Sequence, residues 1–181
     1  MPASLGGEIV RSSTVSNILL TAFVLLLLGD FLATFGYHVP EHVFGKFHGI
    51  VHHSSNRSFV RYAIRTRTPL ALIDGFLGAF PYLVLIPFLW LWSPAGVILG
   101  LALAEAHVIW RHRFAPDYQT PGWLKRLCNI FGITTPERHL RHHQNARLAY
   151  GDIFAFYGPP AKWWMKWLVG LRQQLRKPYR T

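Results

Sequence analysis

The sequence predicts an all-α integral membrane protein with about three transmembrane helices, a cytoplasmic histidine-rich helical cap and a C-terminal interfacial helix. Of the 181 residues, 51% are hydrophobic and only 15% are charged, a composition typical of membrane proteins. Long apolar runs alternate with polar segments, and the histidines cluster in those polar segments. By length the chain is expected to form a single membrane domain over residues 1–181.

Three apolar runs are predicted to cross the bilayer. They cover residues 16–38, 70–92 and 95–112. The second run contains Pro81 and Pro87, which predict kinks that neighbouring helices can tolerate. The third run is shorter, and its Gly96, Gly100 and Ala104 form a ridge of small residues that predicts close packing against another helix.

Basic residues predict how these spans are oriented. Nearly all Lys and Arg residues lie between the first two spans or after the third, in segments 38–68 and 112–160 and in the tail. The positive-inside rule places those segments in the cytoplasm and the N-terminus outside. The protein is therefore expected to be a multi-pass membrane protein, with a bacterial-type inner membrane favoured and the endoplasmic reticulum as the alternative. The net charge of +11 then reflects topology, and no nucleic-acid partner is expected.

The tail over residues 161–177 combines tryptophan and leucine at helical spacing with flanking lysine and arginine. This pattern is typical of a helix that lies in the headgroup region and contacts membrane lipids. An ordinary core helix is the alternative interpretation.

Eight of the ten histidines fall into three groups. The groups are His38-x3-His42, His48-x3-His52-His53 and His139-x2-His142-His143. On a helix, two imidazoles three or four residues apart share a face and can bind one ion. The groups supply more nitrogen atoms than the roughly four ligands of a single metal, so the sequence predicts two metals. His107 and His112 lie between the second and third groups, and either one is a further candidate ligand with a structural role as the alternative.

Four carboxylates near the histidines are predicted to balance charge or to orient a ligand. They are Asp30, Glu41, Glu105 and Glu137. Glu105 is favoured as an orienting group because it lies two residues before His107. No catalytic residue is expected beyond the metal site. The lone Cys128 excludes an internal disulfide and a cysteine-ligated cluster, and no glycine-rich dinucleotide motif is present, so electrons must come from another protein.

Two runs of residues resemble a known superfamily. The run from Phe47 to Arg57, FHGIVHHSSNR, resembles the FHxxHHSSNR segment of the fatty acid hydroxylase / sterol desaturase superfamily. The run TPERHLRHH that begins at Thr135, with Tyr150-Gly151-Asp152 after it, resembles the closing segment of that superfamily. Asp30 ahead of the first histidine group matches the opening segment in outline. The resemblance covers residues 30 to 157.

Two features of the chain depart from the superfamily pattern. Three residues separate His48 from His52, where the superfamily usually has two, and relatives commonly have four spans. The resemblance implies two Fe ions, O2 as co-substrate and hydroxylation of a lipophilic substrate such as a fatty acyl chain, a sterol or a similar lipid. It also implies an external electron donor, such as cytochrome b5, ferredoxin or a rubredoxin-like protein. Zinc can replace iron in preparations, because imidazole sites bind zinc more tightly than ferrous iron.

Lipid hydroxylation has four alternatives among known functions of such proteins. A lipid desaturase and a carotenoid hydroxylase share the scaffold and remain alternatives. A metal transporter or storage protein is less favoured, because transport sites lie near the bilayer midplane and these histidines lie in basic segments. A haem-binding electron carrier would need histidines near the centres of facing spans, and no span has one there.

Overall fold

The computed structural model of the chain describes residues 5–52, 59–113, 118–145, 148 and 150–176, with the backbone alone for residues 5–13 and 52. Within these ranges the fold is helical, which confirms the predicted all-α class; the one β-type contact is an isolated bridge between Ile133 and Phe154. The α-helices are, in chain order, α1 Leu5–Leu32, α2 Val39–Phe44, α3 Phe47–His52, α4 Phe59–Thr66, α5 Leu70–Leu77, α6 Phe80–Leu83, α7 Ile86–Trp90, α8 Pro94–Arg111, α9 Gly122–Phe131, α10 Pro136–Gln144 and α11 Gly158–Arg176.

The first apolar run forms a long helix that is a candidate membrane span. Helix α1 continues through a π-helical segment, Ala33–His38, into α2, and the stretch Thr14–Phe44 is apolar and long enough to cross a membrane. The π-helical segment precedes Pro40. Proline has no N–H and crowds the carbonyl four residues before it, so a local widening lets the helix continue. The widened turns contain His38, the first of the grouped histidines.

The second apolar run is a broken helix. The segment Leu70–Leu77 and the segment Phe80–Trp90 meet at a bend of 50°. Pro81 and Pro87 each lie in the first turn of a short helix, α6 and α7. At those positions a missing N–H costs nothing, so the chain restarts helices at its prolines. The kinks predicted from the prolines are therefore present, and they divide the run into the separate helices α5, α6 and α7.

Helix α8 covers most of the third predicted span. Among the described residues, one helix passes as a membrane span by length and composition, or two if the bent pair is a single span. Helix α8 is not among them, because Glu105, His107 and Arg111 make its second half polar. A third crossing therefore remains a prediction.

The ridge of small residues on α8 packs against α1, as predicted. A Cβ added at Gly96 would lie 2.6 Å from the Thr21 side chain, and one added at Gly100 would lie 2.9 Å from the Leu25 side chain. The absence of side chains at these two glycines lets the helix axes come close together.

Helix α11 is attached to the cap and is not a free amphipathic helix. Its Ala161 and Leu168 are buried in a cluster with Val39 and Val43 of α2. The Trp164 indole donates a hydrogen bond of 2.9 Å to the Phe35 carbonyl oxygen. One face of the tail is thus core, which matches the alternative interpretation, and its placement in the headgroup region stays a prediction.

Candidate metal centre

Six histidines are assembled into two groups of three, each able to hold a metal ion. The first triad is His38, His42 and His142, and the second triad is His112, His139 and His143. In each triad the candidate ligand nitrogens lie within 4.8 Å of one another. Four of the six side chains are buried, with at most 9% of each exposed, and the remaining two are half-buried.

The nitrogen spacing fits a shared ion. In the first triad, the His142 Nε2 atom lies 2.9 Å from the His38 Nε2 atom and 3.1 Å from the His42 Nε2 atom. In the second triad, the His139 Nε2 atom lies 3.1 Å from the Nε2 atoms of both His112 and His143. An ion bound about 2.1 Å from each imidazole nitrogen separates ligands at right angles by about 3 Å. The donor sets therefore match metal coordination.

Helix α10 contributes to both triads and stands between them. His139 and His143 are four residues apart and share a face, as a helical pair should. His142 faces His38 and His42 instead. The third histidine group, His139-x2-His142-His143, is continuous in the sequence but is thus divided between two sites.

The start of α10 is defined by its own sequence. The Thr135 side chain accepts a hydrogen bond from the Arg138 N–H at 3.4 Å, and Pro136 occupies the first turn. Threonine at the N-cap and proline next to it are favoured at helix N-termini. This start puts three histidines on the next two turns of α10.

Three of the triad rings are oriented through their Nδ1 atoms. His142 Nδ1–H donates to the Leu148 carbonyl oxygen at 2.8 Å, and His112 Nδ1–H donates to the Val108 carbonyl oxygen at 2.8 Å. The His38 Nδ1 atom lies 3.3 Å from the Asp152 carboxylate. Such partners fix the tautomer and leave Nε2 available for a metal.

A buried charge network joins the surroundings of the two triads. The Asp152 carboxylate lies 3.0 Å from the Arg111 guanidinium, and Arg111 directly precedes His112. Burial alone would raise the pKa of Asp152, but Arg111 and His38 hold it well below its usual value. Asp152 is therefore a carboxylate at neutral pH and offsets positive charge beside the first triad.

The predicted carboxylate Asp30 supports this network from α1. Asp30 is fully buried and accepts hydrogen bonds from the backbone N–H groups of Asp152 at 3.2 Å and Phe154 at 2.6 Å. It thereby fixes the loop that carries Asp152, and it touches the first triad only through that loop.

The protonation state of His139 also suits metal binding. Burial and the Arg111 guanidinium lower the pKa of His139 well below its usual value. The imidazole is therefore neutral at pH 7, and the neutral ring has the lone pair that a metal needs.

The remaining predicted histidines occupy different places. The His48 ring is buried beside the first triad, with its centroid 5.0 Å from that of His38 and 4.7 Å from that of His42. His107 donates from Nε2 to the Thr134 carbonyl oxygen at 2.9 Å and belongs to neither triad. His53 and the side chain of His52 lie outside the described residues.

Two of the other three predicted carboxylates have partners away from the triads. Glu41 hydrogen-bonds with Asp74, and Glu105 is exposed. The Glu137 carboxylate accepts hydrogen bonds from the Thr120 N–H at 2.7 Å and the Thr120 hydroxyl at 2.9 Å. Burial would raise the pKa of Glu137, but these hydrogen bonds outweigh it and the pKa is lowered. Glu137 thus links α10 to the segment that precedes α9.

Sequence reasoning missed Arg111, Asp152 and Tyr150. Tyr150 is fully buried, with its ring centroid 5.1 Å from that of His142. Both Tyr150 and Asp152 belong to the closing run that carried the family resemblance, and that run was the available signal for them. The contact of Arg111 with Asp152 joins residues far apart in sequence, so no local pattern indicated it.

A cavity of about 550 Å³ opens beside the triads. Its wall includes His38 from the first triad and His112 from the second. Apolar and small residues of α5, α6 and α8 form much of the remaining wall, among them Gly75, Leu83 and Leu101. This volume is within the range of sites that bind small molecules.

Comparisons with known proteins identify the family. The sequence profile of the family described as Fatty acid hydroxylase matches residues 22–158, more than half of the chain. No curated protein and no solved structure matched. The chain belongs to the fatty acid hydroxylase family, and this membership together with the two triads makes it a metal-binding, non-haem di-iron membrane oxidoreductase.

Proposed function

We propose that this member of the fatty acid hydroxylase family is a membrane-bound, O2-dependent hydroxylase of a lipid substrate. The observation that carries the proposal is the cavity whose wall contains a histidine from each triad. A substrate in that cavity would lie against a proposed ligand of each metal site.

The proposed ligands are the members of the two triads, with one iron held by each. His48 is a further ligand candidate for the first site because its ring packs against His38 and His42. Of His107 and His112, we propose His112 as the metal ligand, because the Nε2 atom of His107 is hydrogen-bonded to the Thr134 carbonyl oxygen. When bound, the irons supply the activation of dioxygen for attack on a C–H bond.

The residues of the chain support this reaction by orientation and charge. The Leu148 and Val108 carbonyls and the Asp152 carboxylate keep Nδ1 of three ligands occupied, so each Nε2 points to its metal. Asp152 also supplies negative charge beside triads that contain imidazoles and no carboxylate.

The cavity favours a lipophilic substrate. Its wall includes Tyr37 and His38 of the π-helical segment together with residues of α5, α6 and α8, and the π-helical segment belongs to the stretch Thr14–Phe44 that can cross a membrane. A lipid could enter from the bilayer without passing through water, and apolar walls would exclude water from the reacting carbon. The fatty acyl chain, the sterol and related lipids all remain within this substrate class.

The electron donor is proposed to bind on the basic side of the cap. We place the histidine segments in the cytoplasm and the N-terminus outside, following the distribution of Lys and Arg. An acidic donor of the cytochrome b5, ferredoxin or rubredoxin type would be attracted to that surface.

Lipid mass spectrometry tests the proposed reaction. Cells that express the chain under ¹⁸O2 should contain a lipid that has gained one ¹⁸O atom, and cells that express His142→Ala should lack it. A lipid that has lost two hydrogens without gaining oxygen would identify a desaturase instead. An unchanged lipid profile with iron-loaded protein and a working donor would contradict the proposal.

A further inference from the structure

Helix α9 exposes an apolar face that the metal site does not use. Its Trp123, Leu127, Ile130 and Phe131 are exposed by 67%, 43%, 74% and 65%. Residues spaced by four, seven and eight along a helix share one face. We call this face, defined by these four residues, the α9 patch. Contiguous exposed apolar surface of this kind marks an interaction site.

The rest of α9 is attached to the cap, so the α9 patch has a fixed direction. Cys128, on the side away from the patch, is buried. The Ile133 N–H donates to the Cys128 carbonyl at 2.7 Å, and the Ala155 N–H donates to the Gly132 carbonyl at 2.6 Å. The patch therefore faces outward on a helix that is held at its C-terminal end.

The α9 patch adjoins the apolar surface of α1. A Cβ added at Gly132, next to Phe131, would lie 3.0 Å from the Phe156 ring. Phe156 stacks on Phe154 with ring centroids 5.2 Å apart, and Phe154 meets Phe23 edge-on at 6.4 Å. Phe23 is 51% exposed on the helix that is apolar and long enough to cross a membrane. Aromatic side chains thus connect the α9 patch to a lipid-facing surface.

Charge on α9 suits the same surroundings. Lys125 and Arg126 are exposed on α9 and lie outside the arc of the patch. A helix with tryptophan and aliphatic residues on one face and basic residues beside it is typical of the membrane interface. Anionic headgroups would complement the basic residues, and acyl chains would cover the patch.

We propose that α9 lies in the plane of the membrane, with the α9 patch in the acyl region of the leaflet next to α1. The membrane anchor of the cap is then α9, a helix in the middle of the chain. Glu137 ties Thr120, just before α9, to α10. Insertion of α9 consequently fixes the depth of the helix that carries three of the six triad histidines. This inference does not depend on the proposed reaction.

Spin-label accessibility tests the position of α9. In full-length protein with Cys128→Ser, a nitroxide is attached to Ile130→Cys and, as the matched control at an exposed position outside the α9 patch, to Asn129→Cys. In phosphatidylcholine–phosphatidylglycerol vesicles, the ratio of collision rates with O2 and with a water-soluble nickel complex should be severalfold higher at position 130 than at 129. Equal ratios would overturn the proposal. Protection of position 130 from both reagents would also overturn it and would indicate cover by a second copy.

A second measurement covers the case in which Cys128→Ser does not fold. Bromine-labelled acyl chains quench tryptophan that lies in the leaflet, and Trp123 can be isolated by comparing the wild-type chain with Trp123→Phe. Quenching by the brominated lipid should be smaller in the variant, because a quenched tryptophan has been removed. An equal loss of fluorescence intensity per chain in the two proteins would place Trp123 outside the leaflet and would reject the inference.

Discussion

The two triads are built from similar ligands but are held together in different ways. In the second triad, His139 and His143 come from adjacent turns of α10, and the Nδ1 atom of His112 is bonded within its own helix to Val108. The geometry of that triad follows largely from helix periodicity. In the first triad, His38 and His142 are 104 residues apart in the chain.

Long-range contacts hold the first triad in place. His142 depends on the Leu148 carbonyl, His38 on the Asp152 carboxylate, and the Asp152 loop on Asp30. The comparison indicates that the first triad is sensitive to changes far from its ligands, whereas the second is sensitive mainly to changes in α8 and α10. Substitutions around the two triads should therefore differ in their effects.

The largest effects are expected from loss of a ligand, and here the two triads should behave alike. His42→Ala and His112→Ala should each reduce hydroxylation to background, because both irons are needed for oxygen activation. His107→Gln should retain most activity, since His107 belongs to neither triad and its Nε2 atom is hydrogen-bonded to the Thr134 carbonyl oxygen. Product formation per chain in vesicles measures this. Full activity in His112→Ala together with inactivity in His107→Gln would mean that His107, and not His112, is the metal ligand.

The next effect should distinguish the triads. Asp152→Asn removes the charge beside His38 and Arg111 and should lower metal affinity or activity by about 10–100-fold. A chelator should then remove one metal from the variant early and the other at the wild-type rate. Simultaneous loss of both metals would mean that the triads are not independent, and unchanged affinity would mean that Asp152 does not orient His38.

A smaller effect on stability is expected at Asp30. Asp30→Asn leaves one of two buried backbone N–H groups facing an amide NH2, which should lower the free energy of unfolding by about 1–3 kcal/mol. Thermal unfolding in detergent measures the change. Glu105→Gln makes the same chemical change at an exposed site and serves as the control. Equal melting temperatures for the two variants would show that the Asp30 contacts contribute nothing.

The smallest effect is expected on the surface of the cap. Arg141 is exposed on α10, and Arg141→Glu should raise the donor concentration needed for half-maximal turnover by a few-fold at low salt. Lys166→Glu on α11 is the matched charge reversal away from α10. The difference between the variants should shrink as ionic strength rises. If both variants and the wild type need the same donor concentration for half-maximal turnover, the basic residues do not bind the donor and serve only to set the membrane topology.

Features set by local periodicity could be predicted from the sequence. Pro81 and Pro87 predicted the breaks in the second apolar run, and Gly96 and Gly100 predicted close helix packing, because each depends on one residue type and its immediate neighbours. The division of the third histidine group could not be predicted. His142 differs from His143 only by a rotation about α10, and the direction of each ring depends on which helix packs there.

The partners of the ligands were equally hard to predict. Acidic residues near the histidines in sequence suggested Glu41, Glu105 and Glu137, while the carboxylate beside His38 is Asp152 from the far end of the chain. Helix α9 was also missed, because its ten residues are too few for a span and its apolar face becomes evident only once exposure is known.

The claim that each triad binds one metal is tested most directly by the iron content of active protein. Wild-type protein reconstituted with ferrous iron should contain two irons per chain. His38→Ala, in the first triad, and His143→Ala, in the second, should each contain one. A wild-type content of one iron per chain at full activity, or two irons retained in either variant, would contradict the assignment of one metal to each triad.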